Sequence, residues 1–395
     1  MIPEAVLTLK RPFRIAIVAG ELSGDLLGAG LIYELKKHLN QVEFIGVGGP
    51  RMVAEGFQSL YDMKRLSVMG ITDVLRRYPE LYRIRQNLIQ EWNRNPPDLF
   101  IGIDYTQFNL QLEQRLKHRG IKTVHIVSPK IWAWRQKRVL YIKKAVDLVL
   151  TLFPFEEQFY QKHGVPSQFI GHPLADQIPL DNNSTLIRQQ GGFDADDEIV
   201  AVLPGSRAGE LKYMMPLFLD VMKEISLSKP KIHFILPMAN FNLRNLIMKQ
   251  IKAKNYNLNL EIIDGRAQDA IIMSNVVLAK SGTATLEAML LKRPMVVAFK
   301  WSFLTHLIIA PQLKIPSISL PNILANEELV PEFIQNKARC RPIAQKVLQL
   351  LNTSDSSQLT NRFLSIHKTL RQNANEKAAL AILKVLGLPC TASFK

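Results

Sequence analysis

The residues with the clearest chemical potential lie in the segment Val276–Glu287, which reads VVLAKSGTATLE. Its apolar start predicts a buried parallel strand, and Ser281, Gly282 and Thr283 then form a tight turn into a helix. Free backbone N–H groups at the start of a helix bind anions, and Glu287, one helical turn later, can accept hydrogen bonds from sugar hydroxyls. The segment therefore indicates a nucleoside diphosphate site. An ordinary strand-to-helix turn with a solvated glutamate is the alternative.

Three further places in the second half of the chain bear on the same ligand. Gly205, Ser206 and Arg207 follow an apolar strand, and a guanidinium there would form a forked pair with a diphosphate. Asn322 ends a run, Leu320-Pro321-Asn322, that we interpret as the end of another strand, and Gln335 follows it. We expect all of them on the nucleotide side, although Arg207 as a plain surface residue is the alternative.

The first half of the chain offers a Gly-rich turn directly after its first strand. Its glycines do not fit the G-x-G-x-x-G pattern of dinucleotide sites. Open α/β sheets bind ligands at the carboxyl edge, and a Gly-rich turn there lets a substrate approach the backbone. The alternative is that a Ser or Asp of the turn only caps the following helix. The candidate residues of this turn are Gly20, Glu21, Ser23, Gly24 and Asp25.

Asp104 ends the apolar strand Asp98–Ile103, at the same edge of the predicted sheet. A partly desolvated carboxylate can take a proton from an attacking hydroxyl, so Asp104 is the candidate general base of this half. Trp132, Trp134 and Arg135 follow the next strand and suit a sugar or acyl face beside a phosphate. The alternative for Asp104 is that it is only the first solvated residue after the strand. The alternative for the two tryptophans is that both lie in the core.

A basic amphipathic segment lies between residues 69 and 88. An apolar face beside arginines is typical of a helix that lies on an anionic membrane, and equally of any basic surface helix. The membrane-contact candidates are Met69, Val74, Leu75, Arg76 and Arg77.

Composition limits the function classes. The chain has 395 residues, of which 47% are hydrophobic and 21% charged, as in a globular protein of two domains. No uninterrupted apolar run reaches about 18 residues and the first residues do not resemble a signal peptide, so we expect a cytoplasmic protein. The net charge of +16 favours anionic partners, but no nucleic-acid-binding motif accompanies it. The sequence shows no metal-ligand spacing, and its two cysteines agree with a reducing compartment.

Strands alternate with helices twice along the chain, which predicts an α/β protein with two doubly wound parallel sheets. A linker near 171–184 separates the halves, giving domains 1–175 and 176–356. Two such Rossmann-like domains facing across a cleft form the GT-B arrangement of glycosyltransferases. Residues 357–395 complete the chain, with one long helix over about 358–386 that we expect to cross back to the first domain or to exchange in a dimer.

In order along the chain, these motifs resemble those of the lipid-A-disaccharide synthase family. The resemblance covers residues 14 to 385, and its most specific part is the run Trp132–Arg138, WAWRQKR. The other matching segments are Ile17–Asp25, Val47–Arg51, Val68–Gly70, Ile103-Asp104, Val127–Ile131, Phe169–Pro173, Leu203–Arg207, Ser281–Glu287 and Leu320–Asn322. One segment departs: the family pattern Ala-Pro-Asp-Phe-Asn after Asp104 reads Tyr-Thr-Gln-Phe-Asn here. Asn109 is retained but Gln107 replaces the second Asp, so a role that needs two carboxylates is not carried over.

The resemblance implies an inverting glycosyltransferase of lipid A synthesis. Its donor would be UDP-2,3-diacylglucosamine and its acceptor 2,3-diacylglucosamine 1-phosphate. Asp104 would act as the base, Arg207 and the Ser281–Thr283 amides would stabilise the leaving UDP without a metal, and Glu287 would hold the ribose. The resemblance also implies contact with the anionic inner-membrane surface and a homodimer.

Two alternatives remain open. Another UDP-sugar enzyme of the same fold, such as a UDP-N-acetylglucosamine 2-epimerase or the transferase that completes the peptidoglycan lipid precursor, would share the nucleotide site. A nucleic-acid-binding protein without enzymatic activity would account for the charge alone.

Overall fold

The computed structural model describes residues 11–66, 71–238, 243–301, 310–353 and 356–389, and at residues 71–75 and 310 it describes the backbone alone. The chain forms two compact units. One comprises Met1–Pro173 with Arg371–Lys395, and the other comprises Leu174–Leu370. Each unit contains one sheet in which every pair of neighbouring strands is parallel. The prediction of an α/β protein with two doubly wound parallel sheets is confirmed.

The first unit has seven strands in the order β3-β2-β1-β4-β5-β6-β7. The strands are β1 Phe13–Ala19, β2 Val42–Val47, β3 Gln58–Ser59, β4 Leu99–Ile103, β5 Lys122–Ile126, β6 Leu148–Thr151 and β7 Ser167–Phe169. The helices are α1 Leu22–Lys36, α2 Pro50–Ala54, α3 Ile71–Arg94, α4 Thr106–Lys117, α5 Val139–Ala145 and α6 Pro154–Lys162.

The second unit has six strands in the order β10-β9-β8-β11-β12-β13. The strands are β8 Ile199–Leu203, β9 His233–Met238, β10 Leu260–Asp264, β11 Val276–Lys280, β12 Met295–Phe299 and β13 Glu332–Ile334. The helices, numbered on from the first unit, are α7 Pro173–Gln177, α8 Ser184–Gln190, α9 Ala208–Ser228, α10 Arg244–Lys254, α11 Ala267–Met273, α12 Thr283–Leu290, α13 Leu320–Ala325, α14 Cys340–Leu351 and α15 Ser357–Leu370. A final helix, α16 Ala374–Val385, belongs to the first unit.

The central strands are apolar because helices cover both faces of each sheet. All residues of β4 and β8 are buried, and β11 is buried up to its last residue. In each unit the strand order reverses beside the first strand, between β1 and β4 and between β8 and β11. Open sheets of this kind bind ligands at the carboxyl ends of the strands on the two sides of such a reversal. The fold therefore marks one candidate crevice in each unit.

The predicted single helix at the C-terminus was wrong, because the structure has two helices there, α15 and α16. Asn373, directly before α16, adopts a left-handed conformation with φ of 53°, which breaks the helical path. Helix α16 lies against α1, so closely that a Cβ at Gly30 would lie 2.2 Å from the side-chain nitrogen of Asn375. Ala379 and Ile382 of α16 are fully buried in the core formed with β1 and β4.

One other prediction about an element was wrong. Leu320-Pro321-Asn322 does not end a strand but begins helix α13, because Pro321 stands in the first turn, where no N–H is needed, and Ser319 is the N-cap. The expected linker near 171–184 includes the boundary between the two units, which lies between Pro173 and Leu174, and also the short helix α7. None of the described helices is both long and apolar enough to cross a membrane.

Candidate active site

The turn after β8 is built around Glu210. Gly205 has φ of 122°, and a Cβ there would lie 2.5 Å from Glu210 Oε2, so only glycine fits. The same carboxylate accepts a hydrogen bond of 3.1 Å from the N–H of Ser206. Arg207 is the N-cap residue of α9; its side chain is 58% exposed and its guanidinium lies 4.0 Å from Glu210. The predicted arginine is thus a loosely paired cation at the carboxyl edge.

Lys280, the last residue of β11, is a site candidate that the sequence analysis missed. Its Nζ donates to Glu210 Oε1 at 2.8 Å and lies 5.1 Å from the centre of the Phe299 ring. Glu210 therefore connects the ends of β8 and β11, on the two sides of the strand reversal. A signal was available, because a lysine directly before a predicted phosphate-binding turn is itself a candidate phosphate ligand.

In the turn from Ser281 to Thr283, Ser281 is bound within the protein, and the following backbone amides are open to a ligand. The Ser281 hydroxyl donates to Ile318 O at 2.8 Å, and its N–H donates to Ala298 O at 3.2 Å, so Ser281 holds the loop. Helix α12 begins at Thr283, and the N–H groups of the first turn of a helix have no intrahelical acceptor. The N–H of Thr285 donates to Gly282 O at 3.1 Å, so the amides open to an anion are those of Gly282, Thr283 and Ala284.

Glu287 lies one turn inside α12 and is partly buried. Burial raises the pKa of its carboxyl group above the ordinary value. A carboxyl group in this position, behind the open amides and screened from water, can accept hydrogen bonds from a polar ligand on the helix end.

The side chain of Asn322 forms its hydrogen bonds within the protein. Its Oδ1 accepts from the N–H groups of Leu329 and Val330, both at 2.9 Å, and its Nδ2 donates to Glu332 at 2.8 Å. The residue is 2% exposed, so it positions the loop before β13. Asn322 was expected on the nucleotide side; its side chain has no open hydrogen-bonding position in this structure.

Gln335 has a similar internal role but also borders a cavity. Its Oε1 accepts a hydrogen bond of 2.9 Å from the N–H of Trp301. A cavity of about 390 Å³ lies between Gln335, Trp301 and the cationic residues Lys300 and Arg339. The cavity adds positive charge and an aromatic surface to the carboxyl edge of the second unit.

In the first unit the structure brings the turns after β1 and β4 together, as neighbouring strands require. A Cβ at Gly20 would lie 2.7 Å from the ring of Tyr105, so glycine is needed for this approach. Asp104 and Tyr105 both have left-handed backbone, with φ of 50° and 43°. The Asp104 carboxylate accepts from the N–H of Tyr105 at 2.8 Å and is partly buried.

Residues of the first Gly-rich turn differ in their exposure to solvent. Glu21 and Ser23 are exposed, and the Glu21 side chain forms no cap bond although Glu21 is the N-cap of α1. Gly24 is buried, where a Cβ would come within 3.2 Å of the Ala19 Cβ. The exposed pair is available at the carboxyl edge.

Asp25 is engaged by the protein rather than open to a ligand. It is 1% exposed, and its carboxylate accepts from the N–H groups of Gly49, Arg51 and Met52 at 3.0–3.1 Å. Asp25 thus caps α2 instead of its own helix. Chain-local reasoning does not detect this, because the residues it bonds are more than 20 positions away.

Trp132 and Trp134 do not share one environment. Trp132 is 8% exposed and its Nε1 donates to the buried Glu156 at 3.2 Å. Trp134 is partly buried, and the exposed guanidinium of Arg135 lies 4.2 Å from its ring centre. Trp134 with Arg135 therefore provides the predicted aromatic and cationic surface, while Trp132 belongs mostly to the core.

The predicted membrane segment is described only in part. Met69 lies outside the described residues, as do the side chains of Val74 and Leu75. Arg76 is exposed on α3, and Tyr78 and Tyr82 are 55% and 45% exposed. Arg77 donates to the carboxylate of Glu80 at 3.4 Å.

Sequence comparison finds a matching family and similar named proteins. The family model for lipid-A-disaccharide synthetase matches residues 15–385. A protein of Legionella pneumophila strain Philadelphia 1, lipid-A-disaccharide synthase 2, is 62% identical over 385 residues, which cover 98% of this chain and 100% of the relative. The lipid-A-disaccharide synthase of Hahella chejuensis is 46% identical over 95% of both chains.

Structural comparison finds distant relatives of the same fold. The UDP-GlcNAc 2-epimerase of Neisseria meningitidis, solved with UDP-GlcNAc, has a TM-score of 0.65 and 14% identity, over 94% of this chain and 100% of that one. The glycotransferase of kitacinnamycin has a TM-score of 0.62 and 15% identity, over 96% and 100%. At such identities the likeness concerns the fold, which is the GT-B fold of glycosyltransferases and epimerases.

Proposed function

Because this chain belongs to the lipid-A-disaccharide synthetase family and is a glycosyltransferase of lipid A synthesis, we propose how its own residues carry out the transfer. The donor is UDP-2,3-diacylglucosamine, and the acceptor is 2,3-diacylglucosamine 1-phosphate. The acceptor's 6-hydroxyl oxygen bonds to C1 of the donor sugar while the bond from C1 to the diphosphate oxygen breaks. The products are the β-1,6-linked disaccharide 1-phosphate and UDP.

Asp104 is the proposed base. An α-linked donor that gives a β-linked product needs one in-line displacement, so one base suffices and no covalent carboxylate intermediate is required. The Asp104 carboxylate takes the proton of the 6-hydroxyl as its oxygen attacks. The observation that supports this role is its position, partly buried at the end of β4 beside the Gly20 turn and the strand reversal.

Residues of the second unit are proposed to bind and stabilise the leaving group. UDP gains negative charge as the bond to C1 breaks, and Arg207, Lys280 and the first amides of α12 stabilise that charge. The support is their common position at the ends of β8 and β11, joined through Glu210. Glu287 accepts hydrogen bonds from the ribose. Two cationic side chains and a helix terminus perform the work that a metal ion performs in other transferases.

Metal independence is therefore the first expectation. Turnover in excess EDTA should equal turnover without it, because no step of the proposed mechanism needs a divalent cation. Initial rates with and without EDTA provide the measurement. A loss of activity that only added Mg²⁺ restores would overturn this part of the proposal.

The function itself is tested with both lipid substrates. Purified protein is incubated with UDP-2,3-diacylglucosamine, with and without 2,3-diacylglucosamine 1-phosphate, and the products are analysed by mass spectrometry. We expect the disaccharide 1-phosphate and an equal amount of UDP only when the acceptor is present. Release of UDP that does not depend on the acceptor would favour epimerase-type chemistry instead.

We propose further that the protein works as a homodimer at the cytoplasmic face of the inner membrane, from which it collects both lipids. The net charge of +16 and the exposed Arg76, Tyr78 and Tyr82 of α3 support this location, because anionic lipid attracts arginine and the interface favours tyrosine.

Binding to vesicles tests the membrane proposal. The protein should sediment with vesicles that contain phosphatidylglycerol, less with neutral vesicles, and less as salt rises. Arg76→Glu should weaken this binding, whereas Arg341→Glu, the same charge change at an 83% exposed position of the second unit, should weaken it less. Equal effects of the two variants would show that total charge, and not α3, drives binding.

A further inference from the structure

Arg85 of α3 is a buried cation that the mechanism above does not use. It is 6% exposed, and its neighbours on the helix, Ile84 and Leu88, belong to a hydrophobic core of the first unit. An arginine in a protein does not lose its charge, and a buried charge is costly unless an opposite charge pairs with it. The position of Arg85 therefore calls for an anion.

No residue that the structure describes supplies this anion. Arg77, two turns earlier on the same helix, pairs with the carboxylate of Glu80 at 3.4 Å. Within the described residues Arg85 has no such partner, and its Nε is buried without a hydrogen-bond acceptor. Its guanidinium carbon lies 5.5 Å from the centre of the Tyr82 ring and 5.8 Å from that of the Phe108 ring. Aromatic rings attract a cation, but they leave its N–H donors without acceptors.

The contact with Phe108 places Arg85 beside the first turn of α4. Phe108 is the third residue of that helix, and its ring centre lies 5.5 Å from that of Tyr105, the N-cap residue. Burial raises the pKa of Tyr105 to about 12, although the positive charges of Arg77 and Arg85 act in the opposite direction. The buried guanidinium thus lies near the turn that follows β4.

This end of α4 is open to an anion. Tyr105 forms no side-chain cap, and the first turn contains no acidic residue. The N–H groups of Phe108 and Asn109 donate to Tyr105 O at 3.1 and 3.2 Å, whereas those of Thr106 and Gln107 stand where a helix has no intrahelical acceptor. Many helices begin with open amides, but here a buried cation without a partner lies against the same turn. Both features attract negative charge.

The turn holds the proposed base at a fixed place relative to these amides. Asn109 is 0% exposed, and its Nδ2 donates to the carbonyl oxygens of Asp104 and Val18 at 2.9 and 3.1 Å. Asp104 is the residue directly before the N-cap of α4. A ligand whose anionic group lies on the first turn of α4 therefore extends toward Asp104 with its neighbouring atoms.

We propose that Arg85 and the first turn of α4 bind the 1-phosphate of the acceptor. The inference rests on the proposed function. In the acceptor, C1 carries the phosphate and C5 carries the carbon of the reacting 6-hydroxyl, and both C1 and C5 bond to the ring oxygen. The two groups therefore flank one edge of the sugar, as the anion site and Asp104 flank one turn. A guanidinium suits a phosphate because it donates two parallel hydrogen bonds.

The test compares 2,3-diacylglucosamine 1-phosphate with the same lipid lacking the phosphate, in the wild-type protein and in Arg85→Met. The wild type should show a kcat/KM at least about tenfold lower for the lipid without phosphate. Arg85→Met should lower kcat/KM for the phosphorylated acceptor by about 10- to 100-fold, as expected for lost hydrogen bonds to a charged group. It should leave the value for the other lipid within twofold and the affinity for UDP unchanged.

Thermal stability gives an independent readout. Removal of a residue that serves only packing should lower the melting temperature. A cation that is kept for a ligand is instead a cost to the free protein, so Arg85→Met should melt at the same temperature or higher. Arg85→Lys keeps the charge without the paired donors, and it should retain part of the preference for the phosphorylated acceptor.

Arg94→Met is the matched control. Arg94 is the exposed last residue of the same helix, so the variant loses the same charge away from the proposed site. It should leave kcat/KM for both lipids within twofold. Vesicles that contain phosphatidylglycerol separate the acceptor from membrane phosphate, and Arg85→Met should bind them as the wild type does. Loss of vesicle binding with an unchanged acceptor preference would assign Arg85 to the lipid headgroups and overturn the proposal.

Other results would also overturn it. Equal use of the two lipids by the wild type would show that the phosphate is not recognised, and an unchanged preference in Arg85→Met would exclude Arg85 from recognition. Equal losses on both lipids, a lower melting temperature or failure of this variant to fold would assign Arg85 to the core. All of these leave the proposed function in place, since that function fails only if the wild type forms no disaccharide from the phosphorylated acceptor.

Discussion

Asp104→Asn should lower kcat by about 10³-fold, the loss expected when a general base is removed. Asparagine has nearly the same shape and keeps an oxygen that can accept from the N–H of Tyr105, so the turn itself should survive. The affinity for UDP should stay the same, because the proposed nucleotide residues belong to the other unit. Steady-state kinetics and titration calorimetry with UDP measure the two quantities.

Asp62→Asn is the matched control for this substitution. Asp62 is an exposed aspartate of the same unit that also accepts from a backbone N–H, that of Lys64 at 2.9 Å. Its replacement should leave kcat within twofold of the starting value. If Asp104→Asn also retained normal turnover, the base would have to be another group.

Arg207→Ala should weaken UDP binding by about 10- to 100-fold, since a hydrogen bond to a charged group contributes about 1.5–3 kcal/mol. Arg207 is 58% exposed and only loosely paired with Glu210, at 4.0 Å, so its guanidinium is free to turn toward a diphosphate. It should also lower kcat, because the leaving UDP becomes more negative in the transition state than in the bound donor. Calorimetry with UDP and initial rates give both numbers.

Arg266→Ala provides the comparison. Arg266 is also a helix N-cap residue with an acidic partner three positions later, Asp269, but it is tied to that partner at 2.8 Å and follows β10, away from the strand reversal. Its removal should leave the affinity for UDP unchanged. Equal losses in the two variants would indicate a general effect of positive charge, and no loss in Arg207→Ala would refute its diphosphate role.

Strong local patterns made the fold predictable from the sequence. Apolar runs bounded by turns located the central strands of both sheets, because strands covered on both faces must be apolar throughout. The short strands β3, β7 and β13, of two or three residues, have too few positions to show a pattern. Leu320-Pro321-Asn322 was misread because an apolar run before a polar residue fits a helix start as well as a strand end.

The candidate site was predictable where its residues follow strands, and not where they depend on distant partners. Asp104, Arg207 and the Thr283 turn lie at strand ends that local pattern locates. The bonds of Asp25 to the amides of α2, and of Asn322 to the loop before β13, form only when separate segments meet. Glu113 of α4 and His125 of β5 are fully buried and 2.7 Å apart, but they gave no signal in the sequence, since each alone resembles an ordinary polar residue in a helix or a strand.

The return of α16 to the first unit affects how the protein is made. Ala379 and Ile382 complete the hydrophobic core of the first unit. The other segments of that unit are synthesised first, and all of Leu174–Leu370 is synthesised before α16 follows. At about 5–20 residues per second, the nascent domain waits roughly 10–40 s for its last helix. During that time one face of α1 is exposed, so chaperone binding should be strongest then, and messages truncated after codon 370 should give insoluble product.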